Sequence, residues 1–160
     1  MASKPPSADD IAALRERFSE AITDVRESFG EVTCYVDPAF IVEVCRFLRD
    51  DPRFAFNMLA DLCGADLGID QEPRFEVIYH LNSLTKWHRL RLKVQLPADE
   101  PSIATMTPIW KTADWLERET FDMFGIIFDG HPDLRRILMP EEFQWHPLRK
   151  DYPVRGYDDF

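Results

Sequence analysis

The sequence predicts an α+β fold in which helices pack on one face of a small mixed β-sheet, followed by an extended irregular C-terminal arm. Residues 75–81 and 90–96 alternate apolar and polar side chains, which is the period of a half-buried strand. Residues 11–29 and 40–48 instead repeat apolar side chains at steps of three and four, which is the period of an amphipathic helix. Residues 126–160 show neither period, yet they contain many aromatic and aliphatic side chains. An aperiodic segment of this length and composition is typical of a functional arm.

The first predicted helix starts after a short N-terminal arm. Ser7 can cap this helix, and apolar side chains recur at helical spacing from Ile11 as far as Phe29. Gly30 follows directly, and glycine is the residue that most often ends a helix. Residues 32–36 then place apolar side chains at every second position, which predicts a short strand.

Further helices are predicted on either side of the two long strands. Asp37 and Pro38 supply an N-cap and a first helical residue for the segment that carries the second helical repeat. Residues 54–63 place apolar side chains at helical steps before Gly64, which predicts a short third helix. Residues 102–110 begin with a serine that can act as a cap, and they predict one more short helical piece.

A basic row runs along the second long strand and has two interpretations. Arg89, Arg91 and Lys93 alternate with the apolar side chains of residues 90–96. The row could form a binding face for an acidic partner. Alternatively, it is a solvated sheet face whose cations pair with acids of the same chain. The second interpretation is favoured because the chain has 29 acidic and 19 basic residues.

The predicted organisation has three parts. Residues 1–6 form a flexible N-terminal arm, and residues 7–125 form the α+β domain. Gly125 breaks the last helix of that domain. Residues 126–160 form the extended C-terminal arm, whose fixed proline geometry and spaced cations suit it to wrap around a partner.

Composition and charge exclude several classes of function. The net charge of −10 disfavours binding to nucleic acid and to anionic lipid, both of which need a basic surface. No apolar run approaches the roughly 20 residues of a membrane-spanning helix. The opening residues, MASKPPSADD, lack the apolar centre of a signal peptide. We therefore expect a cytoplasmic protein whose membrane association depends on partners.

The cysteine pattern predicts reduced thiols and no iron–sulfur cluster in this chain. Cys34, Cys45 and Cys63 are widely spaced. An iron–sulfur cluster normally takes four thiolates from closely spaced motifs, which this chain does not supply. We expect all three thiols to be buried and without a redox role.

The helix that begins near Trp115 carries acids among apolar side chains. On a helical projection, Glu117 and Glu119 each fall between apolar residues, which predicts a helix buried on all sides. Buried carboxylates need partners, because an isolated buried charge is costly. Arg135 and Arg136 are the expected partners, and pairing with them would fold the arm back onto the helix.

The same carboxylates leave a catalytic interpretation open. Glu117 and Glu119 could perform acid–base chemistry as part of a free-standing hydrolase that also uses histidine. Arg118 and Asp122 are expected to share a polar helix edge as an i, i+4 pair. Cations downstream on the arm make pairing the better explanation for these acids.

Two segments of the arm resemble each other. Residues 130–140 read GHPDLRRILMP and residues 146–153 read HPLRKDYP. Each segment places His-Pro ahead of a basic pair and ends in proline. His131 and His146 therefore sit in backbone that proline fixes, where a structural role is favoured over that of a metal ligand or base.

The motifs of this region resemble those of a known family. In order they are Glu117-Arg118-Glu119, Asp122-Met123-Phe124, His131, Arg135, Ile137-Leu138 and the block HPLRKDYP at residues 146–153. They are similar to the signature of the C subunit of the bacterial proton-pumping NADH:quinone oxidoreductase, respiratory complex I. The resemblance is dense over this region and highly specific for the family, and the chain from Ile11 onward also has the family's length and order of elements.

The resemblance implies an accessory role within an oxidoreductase. Complex I transfers electrons from NADH through FMN and iron–sulfur clusters to quinone and translocates protons. Its C subunit carries no redox centre. It lies in the peripheral arm and holds the D subunit of the quinone module, with the B and I subunits as further neighbours. The resemblance therefore implies no active site or cofactor in this chain, and a peripheral location on the cytoplasmic face of the inner membrane.

The expected site is a network that anchors the arm internally and contacts partners. Its residues are Glu117, Arg118, Glu119, Asp122, His131, Arg135, Arg136, His146, Arg149, Lys150 and Asp151. An alternative of the same class is a homologous subunit of a membrane-bound hydrogenase or a related dehydrogenase, although the complete HPLRKDYP block favours the quinone enzyme.

Overall fold

The computed structural model of the chain describes residues 4–157. The α+β fold predicted from the sequence is confirmed. The helices and strands follow in the order α1 (Ala8–Arg17), β1 (Ile22–Ser28), β2 (Glu31–Val36), α2 (Ile41–Asp50), β3 (Met58–Asp66), β4 (Phe75–Ser83), β5 (His88–Leu96), β6 (Ser102–Ala104), α3 (Ala113–Phe124) and β7 (Ile127–Asp129).

The central sheet is mixed and has five strands in the order β1-β2-β5-β4-β3. The pair β2–β5 is parallel and the other pairs are antiparallel. One face of β4 and β5 is fully buried, because the alternating side chains Val77, Tyr79, Leu90 and Leu92 have no exposed surface. The two alternating runs of the sequence are therefore strands, as predicted.

The helices cover this buried face. Helix α2 begins after a 3-10 turn at Pro38–Phe40, with the side chain of Asp37 accepting a hydrogen bond from the amide of Ala39. Val44 and Leu48 of α2 are fully buried in the same apolar cluster as Tyr79. Helix α3 packs on β3 at Gly64, which pairs with Val77 and so faces the same side of the sheet.

The long first helix predicted over residues 11–29 is wrong in its second half. Helix α1 ends at Arg17, and β1 follows as an edge strand paired with β2. The turn between the two strands holds Phe29 at φ +53° and Gly30 at φ +73°. Glycine in this region therefore turns a hairpin instead of ending a helix, and the helical spacing of apolar residues beyond Arg17 is coincidental.

The helices predicted over residues 54–63 and 102–110 are also wrong. The first segment leads into edge strand β3, whose pairing with β4 shifts register between Leu59 and Asp61. That irregularity places the buried residues Leu59 and Leu62 three positions apart, which imitates helical spacing. The second segment begins with β6, which pairs in parallel with β7 in a separate two-stranded sheet.

The predicted N-terminal and C-terminal arms keep contact with the domain where the structure describes them. The backbone of Lys4 lies beside the start of β5: its amide donates to the carbonyl of Trp87 at 3.0 Å, and its carbonyl accepts from the amide of Arg89 at 2.8 Å. Residues 1–3 of that arm lie outside the described range. Strand β7 occupies the start of the C-terminal arm, and residues 130–157 contain no further helix or strand. The three-part division of the chain stays a prediction.

Within residues 4–157, none of the helices combines the length and the apolar character that crossing a bilayer requires.

Candidate functional site: the C-terminal strap on helix α3

We use the name strap for residues 130–157, which lie along α3 without forming helix or strand of their own. The two similar segments of the strap, residues 130–140 and 146–153, both bind this helix. The first segment binds the side chains of Arg118 and Asp122, and the second binds the carbonyl groups at the end of the helix. Helix α3 is therefore the element that positions the predicted site residues.

The carboxylate of Asp122 is the anchor for the first segment. It has no exposed surface and accepts hydrogen bonds from the consecutive amides of Ile137, Leu138 and Met139 at 3.1, 2.7 and 2.8 Å. Arg136 adds an ion pair in which its Nη1 lies 2.6 Å from Oδ1. Burial alone would raise the pKa of Asp122, but the amides and Arg136 outweigh it, so the pKa lies below its ordinary value.

Arg118 holds the same segment from its other side. Its guanidinium donates to the carbonyl oxygens of Arg135 and Arg136 at 3.2 and 3.3 Å. It also stacks over the indole of Trp115, with 5.1 Å from Cζ to the ring centroid. The expected i, i+4 pair of Arg118 and Asp122 does not form, because both side chains are buried and each binds the strap.

The second segment caps the C-terminus of α3. His146 donates from Nδ1 to the carbonyl of Asp122 at 2.9 Å, and the amide of Leu148 donates to Met123 at 3.1 Å. Arg149 donates from Nε to the carbonyl of Phe124 at 2.5 Å. The final carbonyls of a helix have no partner within the helix and carry partial negative charge. The strap supplies both the missing donors and a cation.

Gly125 is needed for this cap to form. It ends α3 at φ +72°, a conformation that L side chains rarely adopt. A Cβ atom on this residue would lie 2.5 Å from Nε2 of His146 and 2.7 Å from Nη2 of Arg149. The glycine that breaks the helix in the sequence therefore also makes room for the second strap segment.

A further anchor comes from two residues that the sequence did not indicate. Asp66, at the end of β3, accepts the amide of Lys150 at 2.8 Å and pairs with Arg74 at 2.8 Å. Arg74 also pairs with Asp151 at 3.1 Å. Burial works to raise the pKa of Asp66, but Arg74 and the bound amides lower it to about 2. Asp66 and Arg74 lie far from the strap in the sequence and belong to no motif that would reveal them.

Glu117 is buried without the cationic partner that the sequence led us to expect. Its carboxyl group accepts from the hydroxyl of Thr105 at 2.5 Å and from the amide of Met106 at 2.6 Å. Burial raises the pKa of Glu117 to about 7, against the lowering effect of these two donors. The expected partner Arg135 pairs instead with the neighbouring Asp133 at 2.8 Å.

His131, at the start of the strap, lies near Glu117, and its hydrogen bonds define its tautomer. Its Nδ1 accepts from the amide of Asp133 at 3.0 Å, which requires the proton to be on Nε2. Nε2 then donates to the carbonyl of Asp114 at 3.1 Å and lies 3.9 Å from Oε2 of Glu117. These bonds give His131 the structural role that its proline context favours.

The prediction of a helix buried on all sides is wrong. Trp115 is 63% exposed, and Glu119 one turn later is also exposed. Within residues 4–157, the side chain of Glu119 forms no hydrogen bond or ion pair with another residue. The helical projection placed Glu119 among apolar residues, but Trp115 faces solvent and leaves this side of α3 open.

The remaining charged and thiol groups have ordinary structural surroundings. The basic row on β5 pairs with acids of the same chain, which is the interpretation that the sequence favoured. Nη2 of Arg89 lies 2.5 Å from Oε1 of Glu31, and Nζ of Lys93 lies 2.7 Å from Oε2 of Glu76. Burial raises the pKa of Cys34 to about 12, which keeps this thiol protonated near neutral pH. In the described part of the chain, no three His, Cys, Asp or Glu side chains group as metal ligands.

Comparisons with known proteins agree with this architecture. The family described as "Respiratory-chain NADH dehydrogenase, 30 Kd subunit" matches residues 34–158. The C subunit of the NADH-quinone oxidoreductase of Roseiflexus sp. (strain RS-1) is 51% identical over 148 residues, covering 92% of this chain and 84% of the relative.

Solved structures share the fold. The trypsin-resistant fragment 1–134 of Nqo5 superposes with a TM-score of 0.64 at 30% identity, covering 78% of this chain and 98% of the fragment. A chain of the archaeal membrane-bound sulfane sulfur reductase superposes with a TM-score of 0.75 over 91% of this chain and 85% of that chain. At 19% identity the second likeness shows the fold alone. By sequence and by fold, the chain belongs to the 30 kDa subunit family of the respiratory-chain NADH dehydrogenase, which is the family of the C subunits of bacterial NADH-quinone oxidoreductase.

Proposed function

We propose that this chain is a non-catalytic structural subunit in the peripheral arm of NADH:quinone oxidoreductase, and that its strap holds the D subunit. Other subunits carry the FMN and the iron–sulfur clusters that move electrons from NADH to quinone, coupled to proton translocation. The B and I subunits are further neighbours. The chain is peripheral, on the cytoplasmic face of the inner membrane, and reaches the membrane only through the complex.

The arrangement of the strap carries this proposal. Its side chains Arg136, His146 and Arg149 turn inward onto α3, where Asp122 and the end of the helix fix its backbone. Its apolar side chains Leu138 and Val154 turn outward, with 61% and 105% exposure. A backbone that is fixed before binding loses little entropy on association, and exposed apolar side chains then contribute to the interface.

The site chemistry supports an accessory role over a catalytic one. Asp122 is occupied by three amides and Arg136, so it has no free position for a substrate. His131 and His146 both bind backbone carbonyls. The free-standing hydrolase considered from the sequence pairs a glutamate with a histidine, and neither of these two histidines is available for that role. We therefore propose that no active site or cofactor belongs to this chain.

A native pull-down from detergent-solubilised membranes through an N-terminal tag tests the proposal. We expect a multi-subunit set that includes the D subunit and shows flavin and iron–sulfur absorbance with NADH:quinone activity. A co-purified hydrogenase set would move the chain to the alternative assembly. A chain recovered alone, with hydrolase activity, would overturn the structural role.

An arm variant separates assembly from turnover. Leu138→Ser removes an exposed apolar side chain of the strap and keeps the backbone amide that binds Asp122. Leu84→Ser is a matched control on the β4–β5 turn, where the side chain is 57% exposed. We expect Leu138→Ser to lower the amount of assembled complex and to leave turnover per assembled complex unchanged. Normal assembly with lost turnover would contradict the proposal.

A further inference from the structure

An open groove runs between α3 and the edge strand β3. Strand β3 ends the central sheet, so the groove lies at the sheet's outer border. The helix approaches the strand closely, because a Cβ on Gly64 would lie 2.6 Å from Cδ2 of Phe124. Met123 and Leu148 give the groove an apolar surface, and Asp61, Cys63 and Glu119 line its polar part. The strap contributes Leu148, so the groove depends on the strap being in place.

The acids of the groove differ from three other acids of the central sheet. Glu31, Glu76 and Asp66 each pair with a cation of this chain. The side chains of Asp61 and Glu119 form no hydrogen bond or ion pair inside residues 4–157, and both residues are exposed. Both charges act on the same thiol, Cys63, and help burial to raise its pKa. Lys93 and Arg91 act on this thiol in the opposite sense, but they are paired with Glu76 and Glu31, so the two groove carboxylates have no cation of residues 4–157 bound to them.

Apolar surface continues from the groove along the exposed side of α3. Leu148 is 53% exposed beside Met123, to whose carbonyl its amide is bound. Trp115 lies one helical turn before Glu119 and is also exposed. A groove that joins unpaired acids to apolar side chains suits a ligand that is cationic at its tip and aliphatic along its length.

We propose that this groove docks a lysine- or arginine-bearing segment of a neighbouring subunit. The aliphatic stem of the cation lies along Met123 and Leu148, and its charged group lies between Asp61 and Glu119. Anionic lipid and nucleic acid are repelled by the same acids, and a second copy of this chain, with a net charge of −10, is a poor electrostatic partner. The inference rests on the proposed function and adds a second contact surface to the strap.

Cys63 provides a direct probe of occupancy. It lines the groove and is half-buried, whereas Cys34 and Cys45 have no exposed surface and act as internal references. N-ethylmaleimide is applied above pH 8 to the purified complex and to the full-length chain alone, and each thiol is quantified by mass spectrometry. We expect Cys63 to react at least about tenfold more slowly in the complex, because a docked segment covers the thiol.

A charge variant tests the nature of the occupant. Glu119→Lys places a cation in the groove, and Glu27→Lys makes the same charge change on exposed β1, at the opposite edge of the sheet. We expect Glu119→Lys to reduce the assembled complex several-fold and Glu27→Lys to leave it unchanged. Equal assembly of the two variants would overturn the cationic occupant.

The outcomes also distinguish this inference from the proposed function. An active complex in which Cys63 reacts as fast as in the chain alone overturns the groove as a docking site and leaves the structural role intact. Failure of the chain to co-purify with any other subunit overturns both.

Discussion

Nη1 of Arg136 lies 2.6 Å from Oδ1 of Asp122, and this buried ion pair fixes the strap to helix α3. The two residues are 14 positions apart, on opposite sides of the helix break. Oδ2 of the same carboxylate receives the amides of residues 137–139. A single side chain of the helix therefore fixes three consecutive backbone amides of the strap and the guanidinium of Arg136.

The first prediction concerns this anchor. Asp122→Asn keeps the volume of the side chain but replaces one acceptor oxygen with a donor and leaves Arg136 without its counter-ion. We expect the free energy of unfolding to fall by about 3 kcal/mol, the usual cost of breaking a buried pair from one side. Urea denaturation measures the loss, and trypsin should cleave the strap faster.

The matched control is Asp133→Asn. Asp133 also pairs with a strap arginine, Arg135, but both side chains are largely exposed. Exposed pairs contribute little to stability. We expect the control to unfold like the wild type; an equal loss in both variants would argue against Asp122 as the anchor.

The second prediction separates backbone strain from steric conflict at the end of α3. Gly125→Ala meets both a positive φ and a Cβ contact of 2.5 Å with His146. Gly130→Ala meets a positive φ of +81° but only an ordinary contact of 3.5 Å with Thr105. We expect a loss of about 1 kcal/mol for Gly130→Ala from strain alone. Gly125→Ala should lose more and release the second strap segment, with faster cleavage at Arg149.

Thermal unfolding with limited proteolysis checks this pair of variants. Comparable melting temperatures and cleavage rates for the two alanine variants would mean that His146 and Arg149 do not depend on the space beside Gly125.

Strands are predicted correctly where buried and exposed side chains alternate without a break, and the prediction is wrong where a register shift interrupts that alternation. In β4, the buried Val77 and Tyr79 stand two positions apart, and the prediction is confirmed. In β3, the register shift after Leu59 moves the next buried side chain to Leu62, and the segment imitates a helix. A shift of this kind is set by pairing with β4, which a local pattern does not reveal.

The residues of the candidate site were likewise predicted where a local motif contains them and missed where only folding brings them together. Local motifs identified the strap and included Asp122 and Arg136 among the site residues, although they assigned the arginines to the wrong carboxylates. Asp66 and Arg74 were missed, since only the folded chain brings β3 next to Lys150. Burial of Glu119 was predicted from its neighbours in sequence, but the side of α3 that it shares with Trp115 faces solvent.

The third prediction concerns the pH dependence that Glu117 confers. Its pKa in the folded chain is about 7, above the ordinary value of 4.5. The stability associated with its protonated form is therefore complete below about pH 4.5 and is lost as the pH rises towards 7. The loss has an upper limit of roughly 3 kcal/mol, from about 1.4 kcal/mol for each pH unit.

Glu117→Gln removes this titration. The amide oxygen of glutamine can still accept from Met106, and its NH₂ group can donate to the hydroxyl oxygen of Thr105. We expect the unfolding free energy of the variant to fall less than that of the wild type between pH 5 and pH 8. The control Glu119→Gln alters an exposed acid and should keep the wild-type slope. Parallel profiles for wild type and Glu117→Gln would refute a neutral Glu117.

The fourth prediction tests the close packing of α3 on the sheet. A Cβ at position 64 would lie 2.6 Å from Cδ2 of Phe124 and 3.0 Å from Cγ2 of Thr120. Gly64→Ala should therefore push the helix outward and lower the free energy of unfolding by about 1–3 kcal/mol, the usual range for overpacking. Because the strap is bound to α3, its proteolytic protection should fall together with the stability.

A double variant shows whether this contact is the cause. Phe124→Leu shortens the side chain that the new methyl group would meet. If the ring is the obstacle, Gly64→Ala combined with Phe124→Leu loses less stability than the sum of the two single variants, with a coupling of about 1 kcal/mol. Additive losses in urea denaturation would instead place the cost of Gly64→Ala in the backbone of β3, and the helix would then keep its position on the sheet.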